Sequence, residues 1–177
     1  MDVPEHELSL ADLPALDRLI DSFMQRCPEE GDWLLCAGVA SVDQSPTELM
    51  AGEAAFAWIV SHTPASYLKR GEYLLPDKNE KPGELCAQIQ RYAGLEAPPG
   101  ASLAMDASSM AAFVEGGWPA NEHLLEAHWG ELEGLAPLIG MSLALLHSAS
   151  SGQPCGWMSR DEEQRLAIGM AVPNGKG

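Results

Sequence analysis

Positive charge is scarce in this 177-residue chain: ten Lys and Arg stand against 26 Asp and Glu, a formal net charge of -16 at pH 7. A surface of that sign repels phosphate backbones and anionic lipid headgroups, which disfavours direct binding to nucleic acid or to a membrane. Long apolar runs are lacking too. The longest, Leu135 to Leu146, is interrupted by Pro137 and Gly140 and falls well short of the roughly 20 residues needed to span a bilayer. The N-terminus carries Asp2, Glu5 and Glu7, where a cleaved secretory signal would place positive charge ahead of an apolar stretch. A cytoplasmic protein is the expectation.

Motifs that carry chemistry are missing as well. Cys27, Cys36, Cys86 and Cys155 form no C-x-x-C pair, so neither a zinc knuckle nor a redox motif is indicated, and buried free thiols are expected. There is no G-x-S-x-G elbow and no glycine-rich phosphate loop, and Cys155-Gly156-Trp157 lacks the surroundings of a cysteine-protease signature. His147 and His62 fall at expected helix ends, where a histidine complements the helix dipole without acting as a base. These absences predict no catalytic residue and no cofactor, hence not an enzyme.

What is present is an ordinary globular composition, 46% hydrophobic and 20% charged, in a chain long enough to close one core. The expectation is one domain over 1–177 with short loose ends. Leu13, Leu16, Ile20, Phe23 and Cys27 recur at three- and four-residue steps, predicting a helix from Asp12 to Arg26. Trp33 to Val42 fits a short helix or a buried strand, and helix is favoured. Ser45-Pro46-Thr47-Glu48 has the form of a capping box opening a helix to about Ser61. Thr63-Pro64 repeats the signal before Tyr67, Leu68 and Leu74, and Pro76 to Gly83 reads as a surface loop.

Leu85, Cys86, Ile89 and Tyr92 share one side of a further helix that Gly94 can end. Ala101 to Val114 is small or apolar and closes on Gly116-Gly117. Helices are expected after Asn121, from Pro137 to near His147, and from Ser159 to about Val172, with Ser148 to Gly156 as a flexible link. Nowhere does a run of β-branched and aromatic residues alternate with a period of two between hairpin turns, as an antiparallel sheet would require. The fold class predicted is therefore all-α: a compact multi-helix bundle or helical-hairpin array of about eight short helices.

Between Arg91 and Arg160 there is no Lys or Arg, while Glu96, Asp106, Glu115, Glu122, Glu126, Glu131 and Glu133 all fall there. Glu122, His123 and Glu126 invite a metal-dependent hydrolase reading. On a helix, however, His128 lies about 140° round from His123, so one ion cannot collect both histidines. A solvated acidic face is the preferred reading, with no metal site. Five tryptophans are many for this length. Trp33 and Trp58 sit in apolar segments and are expected in the core, whereas Trp118, Trp129 and Trp157 are expected at loops or helix edges, where tryptophan often anchors a partner.

Several landmarks together resemble a family of small helical proteins, of unassigned biochemical function, that accompany bacterial type VI secretion loci. They are Trp33 with Cys36-Ala37, Ala54 to Val60, Ala111-Ala112-Phe113 with Gly116-Gly117, and Leu166 to Ala171; Trp118 departs from the pattern, where a Ser would follow the double glycine. The resemblance implies a cytoplasmic accessory role in secretion and carries over no catalytic residue. The expected function is thus non-enzymatic binding of another protein with a basic surface, as a type VI accessory or effector-handling factor. The contact surface expected is Trp118, Glu122, Glu126, Trp129, Glu131 and Trp157. An immunity protein that neutralises a basic toxin is the alternative.

Overall fold

The computed structural model describes residues 13–26, 31–41, 50–74, 81–120, 125–130, 132–160 and 165–175. They form five α-helices and six β-strands in two sheets, so the all-α expectation is corrected to a mixed α/β architecture. Helix α1 (Leu13–Arg26) precedes strands β1 (Trp33–Ser41), β2 (Glu53–Ser61) and β3 (Ser66–Leu74). Then come α2 (Pro82–Tyr92), β4 (Ala101–Ala104), α3 (Ala107–Glu115) and α4 (Leu125–Trp129). A 3-10 turn at Glu133–Leu135 leads into α5 (Ala136–Ser151), followed by β5 (Cys155–Arg160) and β6 (Leu166–Pro173).

The segments expected to be helical after Trp33, before Ser61, after Thr63-Pro64 and before Val172 are therefore β1, β2, β3 and β6. Of the stretches that carry the family resemblance, only Ala111–Phe113 is helical. The physical reason lies in which faces are apolar. A strand that is apolar on both faces reads as a continuous hydrophobic run, without the period of two that betrays a half-wet strand. From Trp33 to Ala40 and from Ala54 to Val60 no polar side chain interrupts the run. In β3 a register shift between Lys69 and Glu72 scrambles what alternation there is.

Elsewhere the local signals lie closer to the observed elements. α1 ends at Arg26, and Gly94, at φ +71°, follows the last turn of α2. The Ala101–Val114 segment divides into β4 and α3 because Asp106 caps the helix, its carboxylate accepting the Ser109 N–H at 2.8 Å. Ser148 to Gly156 is no link: α5 continues to Ser151 and Gly152, at φ +67°, closes it. The capping signals at Asp12, Ser45 to Glu48, Asn121 and Asp161-Glu162, and most of the Pro76–Gly83 loop, lie outside the described residues.

The larger sheet has the order β3-β6-β5-β4, with β4 and β5 parallel and the other pairs antiparallel. Its two faces bury different side chains at a period of two. Cys155, Trp157, Ala167 and Ala171 point toward α5 and Leu13 of α1. Met158, Leu166, Ile168 and Met170 point toward α2 and α3, where Leu85, Ile89 and Phe113 complete the layer. On its far side α5 meets the second sheet, the hairpin β1–β2. Ala40, Ala54, Phe56 and Trp58 pack on the α5 cluster, and the Trp58 indole N–H donates to Ser142 Oγ at 2.7 Å. The order of layers is helices, four-stranded sheet, helix, hairpin. That placement explains why Ala136 to Met141 of α5 is buried all round, as a helix enclosed between two sheets must be.

Gly116-Gly117 ends α3 for two separate reasons. A Cβ on Gly116 would fall 2.6 Å from Cys86 Sγ, whereas Gly117 takes φ +71°.

Candidate functional site

Three places in this architecture can do something. The first is the carboxyl end of the parallel pair β4–β5, where open α/β sheets commonly hold ligands. Asp106 follows β4 and Arg160 ends β5. Arg160 Nε donates to Ser108 Oγ at 2.9 Å, Ser108 Oγ donates to Asp106 Oδ1, and Ser109 Oγ donates to Asp106 Oδ2 at 2.9 Å. With the Ser109 N–H also on Oδ1, both carboxylate oxygens are engaged and the group works as a helix cap. The arrangement is a joint between strand ends and α3, with its polar atoms turned on one another.

The second is a cleft of about 410 Å³ between α1 and β3, lined by apolar Leu13, Leu68, Met141 and Trp157 and by the charged residues Asp17 and Asp21 among others. Its size is that of a small-molecule site, but the lining mixes both signs of charge and brings no thiol. The thiols lie elsewhere, and burial silences those that are described. Cys86 and Cys155 are pushed up to about 12 by desolvation, and Cys36 is raised for the same reason. Each stays protonated at neutral pH and is a poor nucleophile. Among the described residues no three of His, Cys, Asp and Glu gather as metal ligands.

The third is the outer face of the hairpin. The antiparallel register pairs Trp33 with Ser61, Leu35 with Ile59, Ala37 with Ala57, Val39 with Ala55 and Ser41 with Glu53. All but Ser61 of these point away from α5 into solvent: Trp33 is 60% exposed, Leu35 54%, Val39 74% and Ile59 68%, with Ala37, Ala55 and Ala57 exposed between them. No ionisable side chain lies on this face from Trp33 to Val39 or from Ala55 to Ile59. At one end it stops at the hydrogen bond from Ser41 Oγ to Glu53 Oε1, 3.0 Å. A contiguous apolar patch on an acidic chain is the kind of surface that marks a contact with another macromolecule.

The structure separates the residues expected to form the contact surface. Trp118 and Trp157 are core residues, 3% and 1% exposed, and cannot meet a partner from there. Trp118 stacks on Phe113 with ring centroids 5.6 Å apart and lies over Gly156, while Trp157 lies over Gly169. Both indole N–H groups are buried without a hydrogen-bond partner. Glu122 and Glu131 lie outside the described residues, as does the side chain of Glu126, whose backbone is in α4. Trp129 is 44% exposed at the end of α4. There Gly130, at φ +79°, sits on the backbone that leads into β2: a Cβ at Gly130 would lie 2.4 Å from the Met50 carbonyl oxygen.

Trp33, expected in the core, is the most exposed large aromatic of the hairpin, and Trp58, also expected there, is half-buried beneath it. A usable signal was present in the sequence. Two apolar stretches that lack a polar side chain on either face demand two covers, and the described residues supply one.

The layers define a mixed α/β fold of the kind found in ketosynthases. The chain is similar in structure to the ishigamide ketosynthase/chain length factor, with a TM-score of 0.57 and 16% identity, over 94% of this chain and 54% of that one. The chain thus spans about half the length of that protein, and at this identity the likeness is one of fold alone. No protein-family model matches the chain, and no curated protein does.

Proposed function

We propose that this protein acts by binding another protein and not by catalysis, and that the outer face of β1–β2 is the surface it uses. The observation that carries the reading is the exposed row of Trp33, Leu35, Val39 and Ile59, on a stretch of sheet face that carries no ionisable side chain short of Glu53 at its edge. A monomeric protein gains nothing in stability from leaving such a patch in water, since apolar surface is worth roughly 25 cal/mol per Å² only when it is covered. The net charge of -16 on the chain as a whole favours approach by a basic partner. The type VI secretion setting implied by the sequence resemblance gives the first candidates for such a partner, and a basic toxin gives the second.

The test is recovery of partners from the native host with the parent chain and with Leu35→Glu and Ile59→Glu. The reading predicts a stoichiometric partner that the parent retains and both variants lose, while all three chains keep the same circular dichroism. A partner retained equally by all three contradicts the assignment of the surface.

A further inference from the structure

We infer that the first occupant of the hairpin's outer face is a second copy of this chain, docked sheet on sheet. This rests on the reading that this face is a binding surface, and names what covers it.

Three features of the face point to a copy of itself. The first is area. With Trp33 60%, Leu35 54%, Val39 74% and Ile59 68% exposed and three exposed alanines between them, the face offers roughly 500 Å² of apolar surface per copy. A pair therefore removes about 1,000 Å² from water, the lower bound for a specific interface. The second is charge. Two chains of net charge -16 repel across most of their surfaces, yet this face presents no ionisable side chain between its ends, so two copies meet here without placing carboxylate on carboxylate.

The third is shape. The face is heavy at one end, where Trp33 precedes the Leu35–Ile59 pair, small in the middle at Ala37–Ala57, and lighter at Val39–Ala55, beyond which the hydrogen-bonded Ser41–Glu53 pair closes it. A two-fold axis lying in the interface, perpendicular to the strands and level with Ala37–Ala57, lays β1 over β1 in reversed direction. Leu35 and Ile59 of one copy then stand over Val39 and Ala55 of the other, and each Trp33 projects over the Ser41–Glu53 rim, where Glu53 faces Ser61 and not a second carboxylate. Heavy meets light twice, which is the self-complementarity an isologous contact requires. The alanines at the axis set the closest approach of the two sheets, which in face-to-face packing lie about 10 Å apart. The α5 helix covers the inner faces, so the assembly would be hairpin on hairpin between two α5 helices, with the four-stranded sheets beyond them and α2 and α3 outermost. Both faces of β1 and β2 would then be covered, as their unbroken apolar sequences require.

The experiment is sedimentation velocity over a concentration series. The parent chain is expected at twice 18.9 kDa, and Val39→Glu and Ile59→Glu at the monomer mass with unchanged circular dichroism. Val114→Glu, at an exposed apolar position on α3, serves as the control that keeps the dimer. The direction of packing is read by a short bismaleimide cross-linker, with the parent chain as background. Ala37→Cys chains link to one another at the axis. Trp33→Cys chains do not, because eight residues of strand, roughly 26 Å, separate the two positions.

A parent chain that stays monomeric at every concentration, or a dimer that survives Val39→Glu and Ile59→Glu, overturns the inference. Efficient linking through Trp33→Cys but not Ala37→Cys overturns the arrangement. If the parent is monomeric while hairpin variants still lose a host protein, the second copy is wrong and the binding surface stands; if the variants change neither, both readings fall.

Discussion

Strands β5 and β6 and strands β1 and β2 are built from the same kinds of residue and meet different fates. In β5–β6 nearly every side chain is buried: one face of the pair meets α5, the other α2 and α3. In β1–β2 alternate residues are exposed although they are just as apolar. The contrast teaches that an apolar run reports how many faces a strand needs covered, and that the described residues of one chain cover only one of the two for the hairpin. Burial in the first pair is where stability resides, and exposure in the second is what remains available for binding.

The comparison is tested most severely by exchanging equivalent tryptophans. Trp157→Ala in β5 empties a fully buried site and is expected to cost about 3–5 kcal/mol. Trp33→Ala in β1 should leave the monomer within about 0.5 kcal/mol of the parent; chemical denaturation measured below any association reads both.

Gly169→Ala comes next. Its Cβ would fall 2.6 Å from Trp157 Nε1, and the overpacking should cost about 1–3 kcal/mol in the same assay. Ala57→Ser on the exposed face adds a group of similar size and should be silent. A smaller effect is expected at the joint between the regions. Trp58→Phe removes the hydrogen bond to Ser142 that pins the hairpin to α5 and should cost about 1 kcal/mol. It should also speed amide hydrogen exchange in β1 and β2 before any change in β6.

The gentlest probe is pH. Burial penalises the thiolate, so the folded-state values of Cys86 and Cys155 are pushed up to about 12, above the ordinary thiol value of 9.0. Their contribution is present in full below pH 9.0 and is lost as the pH rises toward 12, where the unfolded chain ionises and the folded one does not. Unfolding midpoints should fall across that window, and a thiol reagent at neutral pH should label these two cysteines only after denaturant is added.

The same contrast explains how much could be read from the sequence. Helices with one apolar stripe were legible: α1 shows its stripe at Leu13, Leu16 and Ile20, and α2 shows Leu85, Cys86 and Ile89 before Gly94. Strands covered on both faces were not. Leu166 to Ala171 and Ala54 to Val60 offer no period of two to distinguish them from buried helix. A serine followed by proline, as in Ser45-Pro46, was read as a helix start, though the same residues also favour turns; β2 occupies the latter part of that expected helix.

The candidate surface was missed for a related reason. Trp33 was assigned to the core because its neighbours are apolar, and Trp118 and Trp157 were assigned to the surface because glycines flank them. In the fold the glycines that matter are spatial neighbours and not flanking ones: Gly156 leaves room for the Trp118 indole and Gly169 for that of Trp157, so both rings are buried. The acidic bias was legible, but the apolar face of the hairpin became visible only when the register of β1 on β2 placed its side chains in one row.

The most direct measurement is the sedimentation of a chain carrying Leu35→Glu and Ile59→Glu beside the parent, with circular dichroism on both. The account predicts a parent at twice 18.9 kDa, and a variant that sediments at 18.9 kDa with its fold intact. Equal masses for the two chains contradict the second copy as the occupant of this face, and a variant that unfolds, as a core substitution would, contradicts the claim that the face is free of the fold.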